Sequence, residues 1–187
     1  MRPFLWYIFI SVVSELNSFF LRHFFKNNMV NFHLYTNFEF VILSIFFINT
    51  INKSIFKKIV VILAVLFPLG YLIHNIISNL FLKFNPLFLT LETFVLAIYG
   101  LYYFYNRIIN EAPDTDLIKD PIFWIHSGML LYFLGNTFLF MIYSYSANLQ
   151  LGWHASIWHI HSVLNMSSYL IYSYGLLLYK PWKTSLR

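Results
Sequence analysis

The chain has 187 residues, of which 59% are hydrophobic and only 10% are charged. A soluble domain carries about 25% charged residues, so this composition places the protein in the membrane class. Cysteine is absent, which excludes disulfides and thiolate metal sites. The net charge is +5, but the sequence contains no basic run typical of nucleic-acid binding.

Six apolar segments alternate with short polar links along the chain. This pattern predicts an all-α, polytopic membrane bundle with six transmembrane helices in a single domain. The first apolar run follows residues 1–3 directly and has no small-residue cleavage site, so we expect it to remain as a permanent span. The predicted spans are residues 4–21, 31–51, 59–80, 87–105, 122–145 and 154–178.

The distribution of lysine and arginine predicts the orientation of this bundle. Six spans put both termini on one side of the membrane, and nine of the twelve Lys and Arg residues then lie on that side. Only Arg22, Lys26 and Lys83 lie on the other side. The positive-inside rule therefore predicts cytoplasmic termini.

With this orientation, most of the glutamates and histidines inside the spans lie in the outer leaflet. In the last span, His154, Trp158, His161 and Asn165 follow a spacing of i, i+4, i+7 and i+11, so they share one helix face. Polar groups in hydrocarbon are costly unless they face a partner or water. We therefore predict an outward-open ligand or proton pocket, with Trp153 and Trp158 at its rim. It is lined by Glu15, His33, Asn37, Glu39, His74, Glu92, Asn136, His154, Trp158, His161 and Asn165.

The same residues allow other interpretations. Single glutamates and histidines also form hydrogen bonds that hold membrane helices together. A divalent metal is an alternative ligand, with His154, His161, Glu39 and Glu92 as the possible ligand set. Histidines that titrate near neutrality also suit a proton relay or a pH sensor.

Three further features predict packing or a solvated connection. Gly128, Tyr132 and Gly135 share one face of the fifth span and favour close helix approach. Pro68, in the middle of the third span, predicts a kink. The acidic link at residues 111–120 lacks the spacing of a calcium loop.

Three stretches carry a family resemblance: residues 31–40, residues 120–140 with the pattern Phe-Trp-Ile, Ser-Gly, Tyr-Phe and Gly-Asn, and residues 157–165. They resemble a family of small, uncharacterised bacterial multi-pass membrane proteins. Similar spans form the membrane sensor half of some histidine kinases. The resemblance implies a sensor role and a location in the cytoplasmic (inner) membrane, but it assigns no chemistry to any residue. The chain has no kinase domain, so a signalling output would need a separate partner. Members commonly look seven-spanned, and this chain corresponds to such a protein without the first span.

These observations favour a membrane-embedded sensor or ligand-binding module over an enzyme. No nucleophile elbow, phosphate loop or dinucleotide fingerprint is present in the sequence. The expected surroundings are the lipid bilayer, with a signalling protein or a second copy as partner and no bound cofactor. The alternatives are an intramembrane metal-dependent hydrolase and a small proton-coupled transporter.

Overall fold

A computed structural model describes residues 1–110, 116–148 and 154–179. All regular elements in these residues are helical, which confirms the predicted all-α class. They are α1 (Arg2–Phe25), α2 (Met29–Thr50), α3 (Ser54–Ile77), α4 (Pro86–Asn110), a 3-10 turn (Leu117–Lys119), α5 (Pro121–Asn148) and α6 (His154–Leu178).

Five of the described helices, α1 to α5, are long and apolar enough to cross a membrane. Helix α6 has 25 residues but is not among these five. Its sequence contains three histidines, five serines and an asparagine, which lower its mean hydropathy. The chain is therefore a helical protein with five clear candidate spans and a sixth helix of suitable length but more polar composition.

Proline marks the beginning of three helices. Pro3 lies in the first turn of α1, and Pro86 and Pro121 are the first residues of α4 and α5. Proline is tolerated there because the first turn of a helix leaves its N–H groups without intrahelical partners. Pro68 lies inside α3, which continues on both sides of it.

The chain divides into two compact units. The first, Met1–Glu92, contains α1, α2, α3 and the first turns of α4. Here α2 packs against both α1 and α3. Aromatic side chains fill much of the interior, and Phe40 of α2 stacks on Phe67 of α3 with ring centroids 4.3 Å apart.

The second unit begins at Thr93 and contains the rest of α4, α5 and α6. Helices α5 and α6 pack closely because two glycines of α5 face side chains of α6. An added Cβ at Gly128 would lie 2.6 Å from Tyr172 Cε1, and one at Gly135 would lie 2.6 Å from Leu164 Cδ1. The packing role predicted for these glycines is confirmed.

Candidate functional site

Two buried carboxyl groups lie together in the first unit. Glu39 of α2 is 5% exposed, Glu92 of α4 is 2% exposed, and the two are close enough to interact electrostatically. Neither forms an ion pair with any described residue. The Oε1 atom of each has no hydrogen-bond partner within the described part of the chain. Two such carboxyls in an apolar interior require a proton or a cation to balance their charge.

Hydroxyl groups surround the Glu39 carboxyl. The side chains of Tyr7 on α1 and Tyr35 on α2 both hydrogen-bond to it. Ser11 Oγ lies 2.8 Å from Tyr35 Oη and donates to the backbone oxygen of Tyr7 at 2.8 Å. Tyr35 and Glu39 are four residues apart, as are Tyr7 and Ser11, so each pair shares one helix face.

A histidine and a tyrosine form the next polar layer of the first unit. His33 Nδ1 lies 2.5 Å from Tyr71 Oη, and both side chains are buried. His33 Nε2 lies 3.0 Å from the backbone oxygens of Leu80 and Lys83. Because a carbonyl oxygen only accepts, Nε2 carries a hydrogen, and in the neutral ring Nδ1 accepts the Tyr71 hydroxyl proton.

Tyr71 links this layer to the carboxyl pair. Its hydroxyl also hydrogen-bonds to the side chain of Thr36, and Glu92 is close enough to interact with it electrostatically. His33, Thr36 and Glu39 follow one another at three-residue steps on α2, and all three are buried. At 1.5 Å per residue, His33 and Glu39 are about 9 Å apart along the helix axis. Hydrogen bonds therefore join the segment after α3 to His33, Tyr71 and Thr36, and Glu92 lies within electrostatic range of Tyr71.

A second set of polar contacts joins the end of α3 to the beginning of α4. Asn85 Nδ2 donates to Asn75 Oδ1 at 2.9 Å and lies 3.1 Å from His74 Nδ1. Asn85 Oδ1 accepts from the backbone N–H of Phe88 at 3.4 Å, in the first turn of α4. These contacts hold the beginning of α4 against the end of α3, and thereby place Glu92 about two turns further along.

In the second unit, Asn136 of α5 contacts His161 of α6. Asn136 Nδ2 donates to the backbone oxygen of Tyr132 at 2.8 Å, which fixes the orientation of the amide. Its Oδ1 lies 2.6 Å from His161 Nδ1, so Nδ1 carries the hydrogen. Phe140 and Trp158 flank the imidazole, with ring centroids 6.0 and 5.5 Å away.

Two other features of the second unit, a buried histidine and an open groove, are weaker candidates for a functional site. His126 is fully buried, its Nδ1 lies 2.9 Å from the backbone oxygen of Ile122, and its ring stacks on Tyr103. An open groove of about 530 Å³ presents no titratable group. Its lining is Phe104, Ser127, Leu130, Leu131, Leu134, Gly135 and Phe138.

The remaining predicted pocket residues have varied surroundings. Glu15 is exposed on α1, and Asn165 is half-buried on α6. Asn37 is half-buried, and its Nδ2 donates to the backbone oxygen of His33 at 2.7 Å. His154 is the first residue of α6, but its side chain lies outside the described part of the structure. Trp153 and residues 111–115 also lie outside the described residues.

The predicted metal ligands come from both units. Glu39 and Glu92 belong to the first unit, and His154 and His161 belong to the second. Among the described residues, no group of three or more His, Asp or Glu side chains is arranged to hold a metal ion. In the described part of the chain, the carboxyl pair is the feature whose charge is most restricted by burial.

The sequence did not single out the tyrosines that surround the glutamates. The chain has 14 tyrosines, and most tyrosines of a membrane protein are expected at the membrane–water interface or in helix packing. Tyr7, Tyr35 and Tyr71 therefore did not stand out among them. A signal was present, since Tyr7–Ser11, Tyr35–Glu39 and Tyr71–Asn75 all recur at i, i+4. Such pairs indicate a polar helix face within an apolar segment.

Comparisons with protein-family models, with curated proteins and with solved structures find no match to this chain.

Proposed function

We propose that this protein is a multi-pass membrane sensor that binds a positive charge between Glu39 and Glu92. The ligand is a proton, and a small monovalent cation is the chemical alternative. The observation that carries the proposal is the burial of two neighbouring carboxyls without a cationic partner among the described residues. Ionisable residues within membrane spans most often mark functional sites.

The topology belongs to the same proposal. Six spans with both termini in the cytoplasm put Glu39 and Glu92 in the outer half of a cytoplasmic membrane, where the external medium supplies the ligand. The resemblance to the sensor halves of histidine kinases supports a signalling role. The bound state then passes to a cytoplasmic signalling protein or to a second copy of the chain.

Infrared spectroscopy of the purified protein in lipid tests the carboxyl pair. We expect a carbonyl band from a protonated carboxyl that disappears as the pH rises. Glu39→Gln and Glu92→Gln each remove or shift this titration, whereas Glu15→Gln, at an exposed position of α1, leaves it unchanged. Glutamine has nearly the same shape and needs no balancing charge, so both variants are expected to fold.

Two outcomes of that titration assign the ligand or refute the site. Loss of the protonated band at constant pH on addition of sodium or potassium would assign the charge to a metal cation. Identical spectra of the wild type and both glutamine variants would refute the carboxyl pair as a ligand site.

Proton-coupled transport is a second candidate, which is favoured by the hydrogen bonds that join the segment after α3, through His33, to the buried Tyr71 hydroxyl. A transporter in liposomes would move protons across the membrane, and a pH-sensitive dye inside the vesicles would report this. We expect the sensor to give no flux above that of empty liposomes. Flux that Glu92→Gln abolishes would favour the transporter.

A further inference from the structure

We propose that His33 and Tyr71 form the path by which protons pass between the Leu80–Lys83 segment and the Glu39–Glu92 pair. This inference rests on the proposed function, because it assumes that the carboxyl pair holds a proton. It goes further by naming the route of exchange, the side chains that provide it and the end of the first unit at which it opens.

A route is required because the two carboxyls are almost completely shielded. Phe40 and Tyr71 have no exposed surface. Tyr71 also stacks on Phe67 and lies 5.3 Å from Phe88, as measured between ring centroids. Exchange with water therefore needs side chains that donate and accept protons in sequence. The His33–Tyr71 pair meets this requirement at a separation of 2.5 Å.

The tautomer of His33 determines how the pair transfers a proton outward. Tyr71 passes its hydroxyl proton to His33 Nδ1, and its oxygen takes the proton of Glu92, the carboxyl with which Tyr71 interacts electrostatically. His33 Nε2 then releases its hydrogen to water beside the backbone oxygens of Leu80 and Lys83. The net change is one carboxyl converted to a carboxylate and one proton delivered to water, with the remaining ring hydrogen on Nδ1.

The groups around the path come from all four helices of the first unit. Tyr7 of α1 and Tyr35 of α2 face Glu39, and Glu92 of α4 faces both Glu39 and Tyr71. His74 of α3 lies 3.1 Å from Asn85 Nδ2, measured from its Nδ1 atom, and its ring lies against Phe88. The competing route is the half-buried Tyr35 hydroxyl, which contacts Ser11 at 2.8 Å.

Hydrogen–deuterium exchange of the carboxyl band tests the path. We expect Tyr71→Phe to slow this exchange by about a hundredfold or more, the lower end of what a positioned proton-transfer group contributes. The pH midpoint of the band is expected to change much less than the rate. Tyr35→Phe tests the competing route. The matched control is Tyr105→Phe, which removes an exposed hydroxyl of α4 outside the site and leaves the exchange rate close to that of the wild type.

His33→Gln provides a second variant that does not depend on the fold tolerating Tyr71→Phe. The glutamine amide can still donate to the Leu80 and Lys83 oxygens, but it does not carry protons through a ring. We expect the same slow exchange as in Tyr71→Phe. A purely structural role would change thermal stability and leave the exchange rate unaltered.

The outcomes separate the two proposals. If the carboxyl band titrates but exchanges at the wild-type rate in both Tyr71→Phe and His33→Gln, the path is overturned. The sensor proposal is then unaffected. Slowing in Tyr35→Phe alone also overturns the path and places the route at the contact between Tyr35 of α2 and Ser11 of α1. A wild-type protein without a titrating carboxyl band overturns the proposed function itself.

Discussion

At Gly128 the packing of the second unit leaves no space for a side chain. An added Cβ would lie 2.6 Å from Tyr172 Cε1 and 3.2 Å from the backbone oxygen of Ser168. Tyr172 is 2% exposed, so its ring has little freedom to move. We expect Gly128→Ala to lower the free energy of unfolding by about 1–3 kcal/mol, as overpacking of an interior does. Thermal unfolding in detergent micelles measures the change.

Gly70→Ala is the control for this prediction. Its added Cβ would meet only Phe88 Cε1, at an ordinary contact distance of 3.9 Å. Alanine is favoured over glycine within a helix by about 1 kcal/mol, so we expect no loss of stability. Equal melting temperatures for the two variants would contradict the close approach of α5 and α6.

Asp116 and Lys119 form an exposed ion pair with Nζ and Oδ2 2.6 Å apart. The hydrogen bond from Lys119 lowers the pKa of Asp116, and the same bond raises the pKa of Lys119. The Asp116 contribution to stability is therefore present above the ordinary Asp pKa and is lost as the pH falls through its lowered value. The Lys119 contribution is present below the ordinary Lys pKa and is lost as the pH rises through its raised value.

We expect Lys119→Met to return the pKa of Asp116 towards its ordinary value, because its hydrogen-bond donor is removed. Carboxyl carbon NMR shifts followed through an acid titration measure this. Lys53→Met, in the link between α2 and α3, is the control and is expected to leave the Asp116 titration unchanged. An Asp116 pKa that is the same in wild type and Lys119→Met would refute the pair in solution.

At the level of single residues, the sequence could identify Glu39 and Glu92 but not the side chains that surround them. A carboxyl in an apolar segment stands out in any sequence. Which tyrosines meet it depends on the rotation of α1, α2 and α3 about their axes. Hydrophobic periodicity does not determine this rotation when a helix is apolar nearly all round.

Among the helices, α5 is preceded by an aspartate, Asp120, whose two carboxylate oxygens make different contacts. Asp120 Oδ1 accepts the backbone N–H of Ile122 at 2.9 Å, and Oδ2 accepts from Arg107 at 3.0 Å. We expect Asp120→Ala to destabilise the protein by about 1 kcal/mol or more, the usual effect of removing an N-cap. Asp120→Asn keeps an oxygen acceptor and is expected to have a smaller effect.

Chemical unfolding of these variants gives the order of effects. Asp116→Ala removes an exposed ion pair and is expected to change stability little. A larger loss in Asp120→Asn than in Asp120→Ala would show that the capping assignment is wrong.

The predicted helix boundaries were close to those observed, and the differences have a common cause. The first span was predicted to end at residue 21, but α1 continues to Phe25, past Arg22. The third was predicted to start at residue 59, but α3 begins at Ser54 and includes Lys57 and Lys58. Charged residues mark the membrane surface, where long side chains extend towards water, and a helix continues through them.

For the whole molecule, the orientation can be tested without background labelling because the chain contains no cysteine. We expect a membrane-impermeant maleimide to label Lys26→Cys and Lys83→Cys in intact cells. Lys53→Cys and Lys119→Cys are expected to react only after permeabilisation. The physical reason is the retention of positively charged links in the cytoplasm. The reverse pattern would invert the proposed topology.

A cysteine that replaces Lys180 tests whether α6 crosses the membrane. If α6 is the sixth span, this position reacts only after permeabilisation, as Lys119→Cys does. Labelling in intact cells would leave five spans. The prediction of a sixth span depended on length, which the 25 residues of α6 satisfy, and it gave too little weight to the histidines and serines that lower the mean hydropathy of this helix.

One imidazole, that of His33, touches both the segment after α3 and the phenol at the centre of the first unit. Anything that immobilises the segment therefore also restrains the phenol. By thermodynamic reciprocity, a nanobody selected against residues 80–83 would bind with a dissociation constant that varies with acidity. In the proposed topology residues 80–83 lie outside the bilayer, so such a reagent, added from that side, would report the occupancy of the proposed carboxyl site without contacting it.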